Sequence, residues 1–275
     1  MPLTRLQQRT VTLLAAHRNP ESYVAGGAVL HVEGIRLSKD LDIFHDRERD
    51  VGPAARADAG LLAANGLRVS WERQDPTMYR AEVADGVEAT RLDWVIDTDY
   101  RFFPTVPDPL FGYVLHPADL ATNKLLAAAD RFEVRDAVDL LWIDARLQPL
   151  GAVAWAAAEK NPGWTPEGLL AEVRAKARYR DDMLAAENLI EPLSAAELNT
   201  RLRKLVAAGE ALVAAFPEEL EVGLLLRPDG GLARPDPGRP ETMEGLVVHH
   251  GSRKGSWPSS PEIGSAMLRE RPLPR

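Results

Sequence analysis

The chain contains no cysteine in its 275 residues, which excludes disulfides, a thiolate nucleophile and any cysteine-bound metal. No window of 18 consecutive apolar residues occurs, so no membrane span is expected. The opening MPLTRLQQRTVTLLAAHR has an apolar patch but neither the apolar core nor the cleavage site of a secretory leader. A cytoplasmic location is the expectation. An excess of positive charge is missing too. The formal net charge of −8 argues against coating nucleic acid by bulk electrostatics. Local basic clusters remain, at Arg174, Lys176, Arg178 and Arg180 and again at Arg201, Arg203 and Lys204. These read as solvated helix faces or as a groove suited to RNA.

What is present is ordinary soluble composition, 45% apolar and 27% charged. The length favours two domains, or one with a substantial extension. Residues 1–115 carry short alternating runs. Leu3 to His17 patterns as an amphipathic helix with Leu6, Val11, Leu13 and Leu14 on its apolar side. Tyr23 to Ala25 and Leu41 to Phe44 read as strands, Ala28 to Val32 as a helical turn, and Val51 to Asn65 as a helix closed by Gly66. Leu67 to Glu72, Met78 to Val83 and Ala89 to Ile96 alternate as strands, with Asp85-Gly86 a hairpin signal between the last two. Residues 116–216 are helical in pattern, beginning at Pro117 and covering Arg135 to Leu147, then 150–160, 166–188 and 194–215. Residues 217–275 hold 9 of the 21 prolines and are expected to be an irregular extension, with Leu246 to Val248 a possible strand. The adjacent His249 and His250 point apart in either regular element, which disfavours a metal site there.

The chemistry-bearing stretch is YVAGGAVLHVEGIRLSKDLDIF, from Tyr23 to Phe44. Asp40 and Asp42, two apart on a strand, share a face about 6–7 Å from each other. Two carboxylates at that spacing suit a divalent metal that takes its other ligands from phosphate and water. Gly26 and Gly27 upstream allow close approach of backbone to phosphate oxygens. A two-metal site needs a further acid on a neighbouring strand. TRLDWVID offers Asp93 and Asp97. Asp93, inside the apolar alternation, is the better candidate because a carboxylate there needs a partner. Further on, Lys124 and Arg131 share a helix face, as do Asp136 and Asp139. This set reads either as a salt-bridge network within each helix or as a nucleotide-phosphate contact by Lys124, with Asp136 orienting Lys124 or the acceptor.

Gly26-Gly27, Arg36-x-Ser38-x-Asp40-Leu41-Asp42, Lys124, Asp130-Arg131 and Arg135-Asp136-x-x-Asp139-Leu140, in this order, resemble the AbiEii/AbiGii-type nucleotidyltransferase toxins, which include the MenT-like enzymes. The resemblance spans roughly residues 20–145. It implies an α+β chain with a polymerase-β-like nucleotidyltransferase fold, a small mixed sheet followed by a helical domain. It also implies Mg²⁺-dependent transfer of a nucleotidyl group from a nucleoside triphosphate, with tRNA acceptor ends modified by some members and a cognate antitoxin as partner. By matching positions, Asp40, Asp42 and Asp93 would hold metal, while Gly26, Gly27, Ser38, Lys124 and Asp136 would serve the nucleotide and the reaction. Many relatives have a hydroxyl residue within or after the glycine pair, where this chain has Ala28. A small-molecule transferase of the aminoglycoside-modifying sort and a non-catalytic binding relative are the alternatives.

Overall fold

The computed structural model describes residues 3–30 and 36–255. The last part of the expected helical turn to Val32, and the extension beyond Gly255, lie outside the described residues. The chain divides into two compact units. One comprises the described residues up to Asp99 with Pro104–His116, and the other Tyr100–Phe103 with the described residues from Pro117 onward.

The first unit opens with α1 (Arg5–Leu14), whose Thr4 and Gln7 exchange side-chain and backbone hydrogen bonds as a capping box. The apolar stripe is buried at Leu6, Val11 and Leu14. Strand β1 (Ser22–Ala25) leads through Gly26 into one turn of helix, α2 (Gly27–Leu30). Then come β2 (Asp40–His45), α3 (Glu48–Ala64), β3 (Arg68–Asp75), β4 (Met78–Ala84) and β5 (Ala89–Ile96). Beyond β6 (Tyr100–Arg101), which belongs to the second unit, β7 (Val106–Asp108) and β8 (Gly112–Val114) complete the set.

Helix α3 begins three residues earlier than its apolar pattern suggests, because Glu48 and Asp50 suit a first helical turn. It ends as expected. Gly66 takes φ +78°, and the amides of Gly66 and Leu67 reach back to the carbonyls of Ala63 and Leu62 at 3.0 and 3.1 Å. The Asp85-Gly86 hairpin also forms, with Gly86 at φ +94° and the Asp85 carboxylate accepting from the amides of Val87 and Glu88.

These strands make a seven-stranded mixed sheet in the order β3-β4-β5-β2-β1-β8-β7. The β2–β5 and β1–β8 pairs are parallel, and the rest are antiparallel. Burial along β2 alternates. Leu41, Ile43 and His45 turn to the packed face, and Asp40, Asp42 and Phe44 to the half-buried one. On the packed face Asp58 of α3 is fully buried. It accepts two bonds from Arg18 at 2.6 and 2.8 Å, one from the Trp94 indole at 2.7 Å, and meets His17 at 2.7 Å.

His45 lies beside this network, and burial first, then the Arg18 charge, pushes its pKa down to about 4. It is therefore neutral in the fold, and its buried Nε2 makes no hydrogen bond. Because the folded value lies below the unfolded one of about 6.5, the unfolded chain takes up the proton first. Stability is complete above about pH 6.5 and declines by about 3 kcal/mol as pH falls to about 4. Denaturant titrations at pH 7 and 4.5 should show this loss, and replacing His45 by Gln should flatten it.

The second unit contains α4 (Pro117–Asp130), α5 (Val134–Arg146), α6 (Leu150–Lys160), α7 (Pro166–Ala175), α8 (Asp181–Ala185) and α9 (Ala195–Ala214). The expected helix over 166–188 is two. Between them, residues of α9 capture the backbone. Asn199 exchanges bonds with the N–H and C=O of Tyr179, both at 2.9 Å, and Arg203 donates to the Ala177 carbonyl at 2.7 Å.

The segment 217–255 is not a loose extension, and the packing does not divide at 216. Strand β9 (Leu224–Leu226) is wholly buried and pairs antiparallel with β10 (Val247–His249). Strand β11 (Ser252–Arg253) pairs with β6. Leu224, Leu226 and Leu232 share a core with Phe102, Phe103, Ala118 and Ala156, so apolar burial outweighs the prolines. His249 has a structural part here. Its ring stacks on Phe103 at 4.7 Å and its Nε2 meets the Phe102 carbonyl at 2.7 Å.

Candidate active site

The acidic centre is built on the half-buried face of the sheet in the first unit. Parallel register places Asp42 beside Asp93 and Asp40 beside Arg91. The β4–β5 hairpin places Arg80 beside Asp93. Three carboxylates and two guanidinium groups therefore occupy one patch of the sheet.

Asp42 lies against the glycine turn. Gly26 has φ +75°, and a Cβ there would run into the Asp42 carboxylate. Only a residue without a side chain permits this approach. A Cβ on Gly27 would meet Arg36 Nη2 at 2.6 Å and Ser38 Oγ at 3.3 Å, so the bare backbone, a buried guanidinium and a hydroxyl converge. Ser38 donates its hydroxyl to the Asp40 carbonyl at 2.8 Å. Its own carbonyl accepts from Gln7 of α1 at 2.9 Å. The hydroxyl thus shapes the approach to β2. Ala28, the residue after the glycine pair, is buried.

Asp93 is nearly buried and forks Arg80, Nε to Oδ1 and Nη2 to Oδ2, both at 2.8 Å. The bond to Asp93 holds Arg80 above its usual pKa range. Arg91 donates through Nη2 to Asp40, with its Nε 3.8 Å from Asp93. The strand register thus brings Asp40, Asp42 and Asp93 to one patch, with Asp93 paired to Arg80 and Asp40 to Arg91. Among the described residues no group of three or more His, Asp or Glu side chains is disposed to hold a metal ion. Asp40 and Asp42 do fit a hard divalent cation. They share one strand face beside bare backbone, and a Mg²⁺-type ion commonly takes one or two carboxylates with phosphates and water.

Lys124 and Asp136 lie in the helical unit. Lys124 Nζ is 2.7 Å from Asp139 and 3.6 Å from Asp136. Asp136, fully buried, also receives a fork from Arg131 at 2.7 and 3.0 Å. The salt-bridge network expected as one alternative exists, but it joins α4 to α5 rather than running along one helix. Buried acids of this kind require such partners.

The residues not singled out beforehand are Arg80 and Arg91. Arg91 and Asp93 are two apart on a strand, the same signal that paired Asp40 with Asp42. Counting back across the Asp85-Gly86 hairpin would have set Arg80 opposite Asp93.

No protein-family model and no curated protein matches this sequence. Among solved structures, the fold is similar to MenT4, a nucleotidyltransferase toxin from Mycobacterium tuberculosis, with a TM-score of 0.55 at 17% identity over 78% of this chain and 83% of that one. A protein from H. pylori carrying a nucleotidyltransferase assignment aligns at a TM-score of 0.47 and 15% identity, over 78% of this chain and 96% of that one. The chain thus shares the fold of MenT4, a mixed sheet accompanied by helices.

Proposed function

We propose that this chain is a Mg²⁺-dependent nucleotidyltransferase that moves a nucleotidyl group from a nucleoside triphosphate to an RNA acceptor, with tRNA the expected one. We further propose that it acts as a toxin restrained by a cognate antitoxin. The observation that carries the reading is the placement of Asp40 and Asp42 on one strand face, with Asp42 set against a glycine whose missing side chain makes room for it. The toxin assignment is supported by the likeness to MenT4 and by the motif order, and the RNA acceptor by the motif resemblance alone.

In the reaction, an acceptor hydroxyl oxygen forms a bond to the α-phosphorus while the bond from that phosphorus to the bridging oxygen breaks and pyrophosphate leaves. Asp40 and Asp42, with Asp93 beside them, would hold Mg²⁺, which would supply charge neutralisation on the triphosphate and would lower the pKa of the acceptor hydroxyl. The chain's own part is positional. The bare backbone at Gly26 and Gly27 admits the phosphates, and Ser38 fixes the turn that delivers Asp40. The Arg80 fork holds Asp93 in the acidic row. Lys124 and Asp136 enter by the sequence resemblance, as a phosphate contact and its orienting partner.

The test is incubation of the full chain with each labelled nucleoside triphosphate, Mg²⁺ and total RNA. Label in tRNA is the expected result. Label absent from RNA but transferred to an added aminoglycoside would replace the RNA acceptor with a small molecule. No turnover on either, with tight capture of a partner protein, would leave a binding relative.

A further inference from the structure

The acidic row carries its own cations, and the two are held differently. Arg80 is fastened, since both ends of its fork are satisfied by both oxygens of Asp93. Arg91 is not. Its hydrogen bonding runs through Nη2 to Asp40, its buried Nε makes no hydrogen bond, and its side chain is 36% exposed. A guanidinium carries five donors in a fixed fork, so most of the donor capacity of Arg91 is uncommitted beside Asp40. Sheet formation does not require a cation here, because β-branched or aromatic residues suit a half-exposed strand position better.

We propose that Arg91 is a cation shared between two states of the site. Without nucleotide it stands at Asp40 and relieves the repulsion among Asp40, Asp42 and Asp93. When a divalent cation takes Asp40, the guanidinium turns its donors to the non-bridging oxygens of the incoming triphosphate. Planar, bidentate recognition of phosphate is the chemistry to which arginine is suited. This inference rests on the nucleotidyltransferase reading and adds a residue that recognises the triphosphate.

The proposal makes two binding equilibria move in opposite directions. Replacing Arg91 by Gln removes a competing charge next to Asp40. Mn²⁺ binding in the absence of nucleotide, followed by paramagnetic resonance, should tighten about tenfold, the scale for a unit charge a few ångströms away in a partly solvated site. Binding of a non-hydrolysable triphosphate analogue in the presence of Mn²⁺ should weaken about tenfold or more, because a charge-assisted phosphate contact is lost. Arg91→Lys keeps the charge, so its Mn²⁺ affinity should stay near that of the parent, with triphosphate binding between the other two. A purely structural arginine would lower both affinities together. Unchanged or weakened Mn²⁺ binding in Arg91→Gln, with the parent binding both ligands, overturns the inference and leaves the broader reading intact. A parent chain that binds neither Mn²⁺ nor the analogue overturns both.

Discussion

Asp42→Asn is expected to abolish nucleotidyl transfer while leaving the fold in place. The substitution keeps the size and shape of the side chain lodged against Gly26, so no cavity opens and no contact with the turn is lost. What goes is the charge. Of the two carboxylates suited to a divalent ion, one becomes a neutral amide, a far poorer ligand for a hard cation. Loss of a preorganised electrostatic group at a reacting centre costs on the order of 10²–10³ in turnover, and loss of the ion itself costs more. The expected fall in labelled product is therefore about a thousandfold or greater, accompanied by loss of Mn²⁺ binding. Circular dichroism and the denaturation midpoint should match the parent. Incorporation within tenfold of the parent would remove Asp42 from the site and with it the main support for the proposed activity.

The second large effect concerns stability. Asp58 has no exposure, yet it joins Arg18, Trp94 and His17 through four contacts of 2.6–2.8 Å. Burial pushes the Arg18 guanidinium below its usual range, and Asp58 pulls it back. Replacing Asp58 by Ala leaves that guanidinium buried without its counter-charge and the Trp94 indole without its acceptor. Breaking a buried pair in this way costs about 3–5 kcal/mol. With a urea dependence of about 2 kcal/mol per molar, the midpoint should fall by about 2 M. Arg18→Met combined with Asp58→Ala should cost less than the two single changes added together, since the stranded charge is then absent. A single-variant loss under about 1 kcal/mol would mean that the network contributes little.

Much of the first unit was legible beforehand because its signals are local. Alternation in β2, β4 and β5, the Asp85-Gly86 turn and the Gly66 helix stop each depend on a handful of adjacent residues. The same locality exposed Asp40 and Asp42 as a pair on one face. The split of 166–188 into α7 and α8 was illegible, because the backbone at Ala177 and Tyr179 is taken by Asn199 and Arg203 from a helix beginning some fifteen residues later. Proline content misled at 217–255, where composition suggested an irregular extension. The burial of Leu224 and Leu226 in one core with Phe102 and Phe103 is a contact across more than a hundred residues, which no local pattern contains.

By itself, then, the order of residues determined which side chains share a strand face and where turns must fall, since backbone stereochemistry acts over two to four residues. Which of those side chains neutralise one another was decided only by the sheet. Parallel pairing of β2 with β5 set Arg91 beside Asp40, and the β4–β5 hairpin set Arg80 on Asp93. Coulomb attraction at these positions then gave Asp40 and Asp93 each an arginine partner that no local pattern announces.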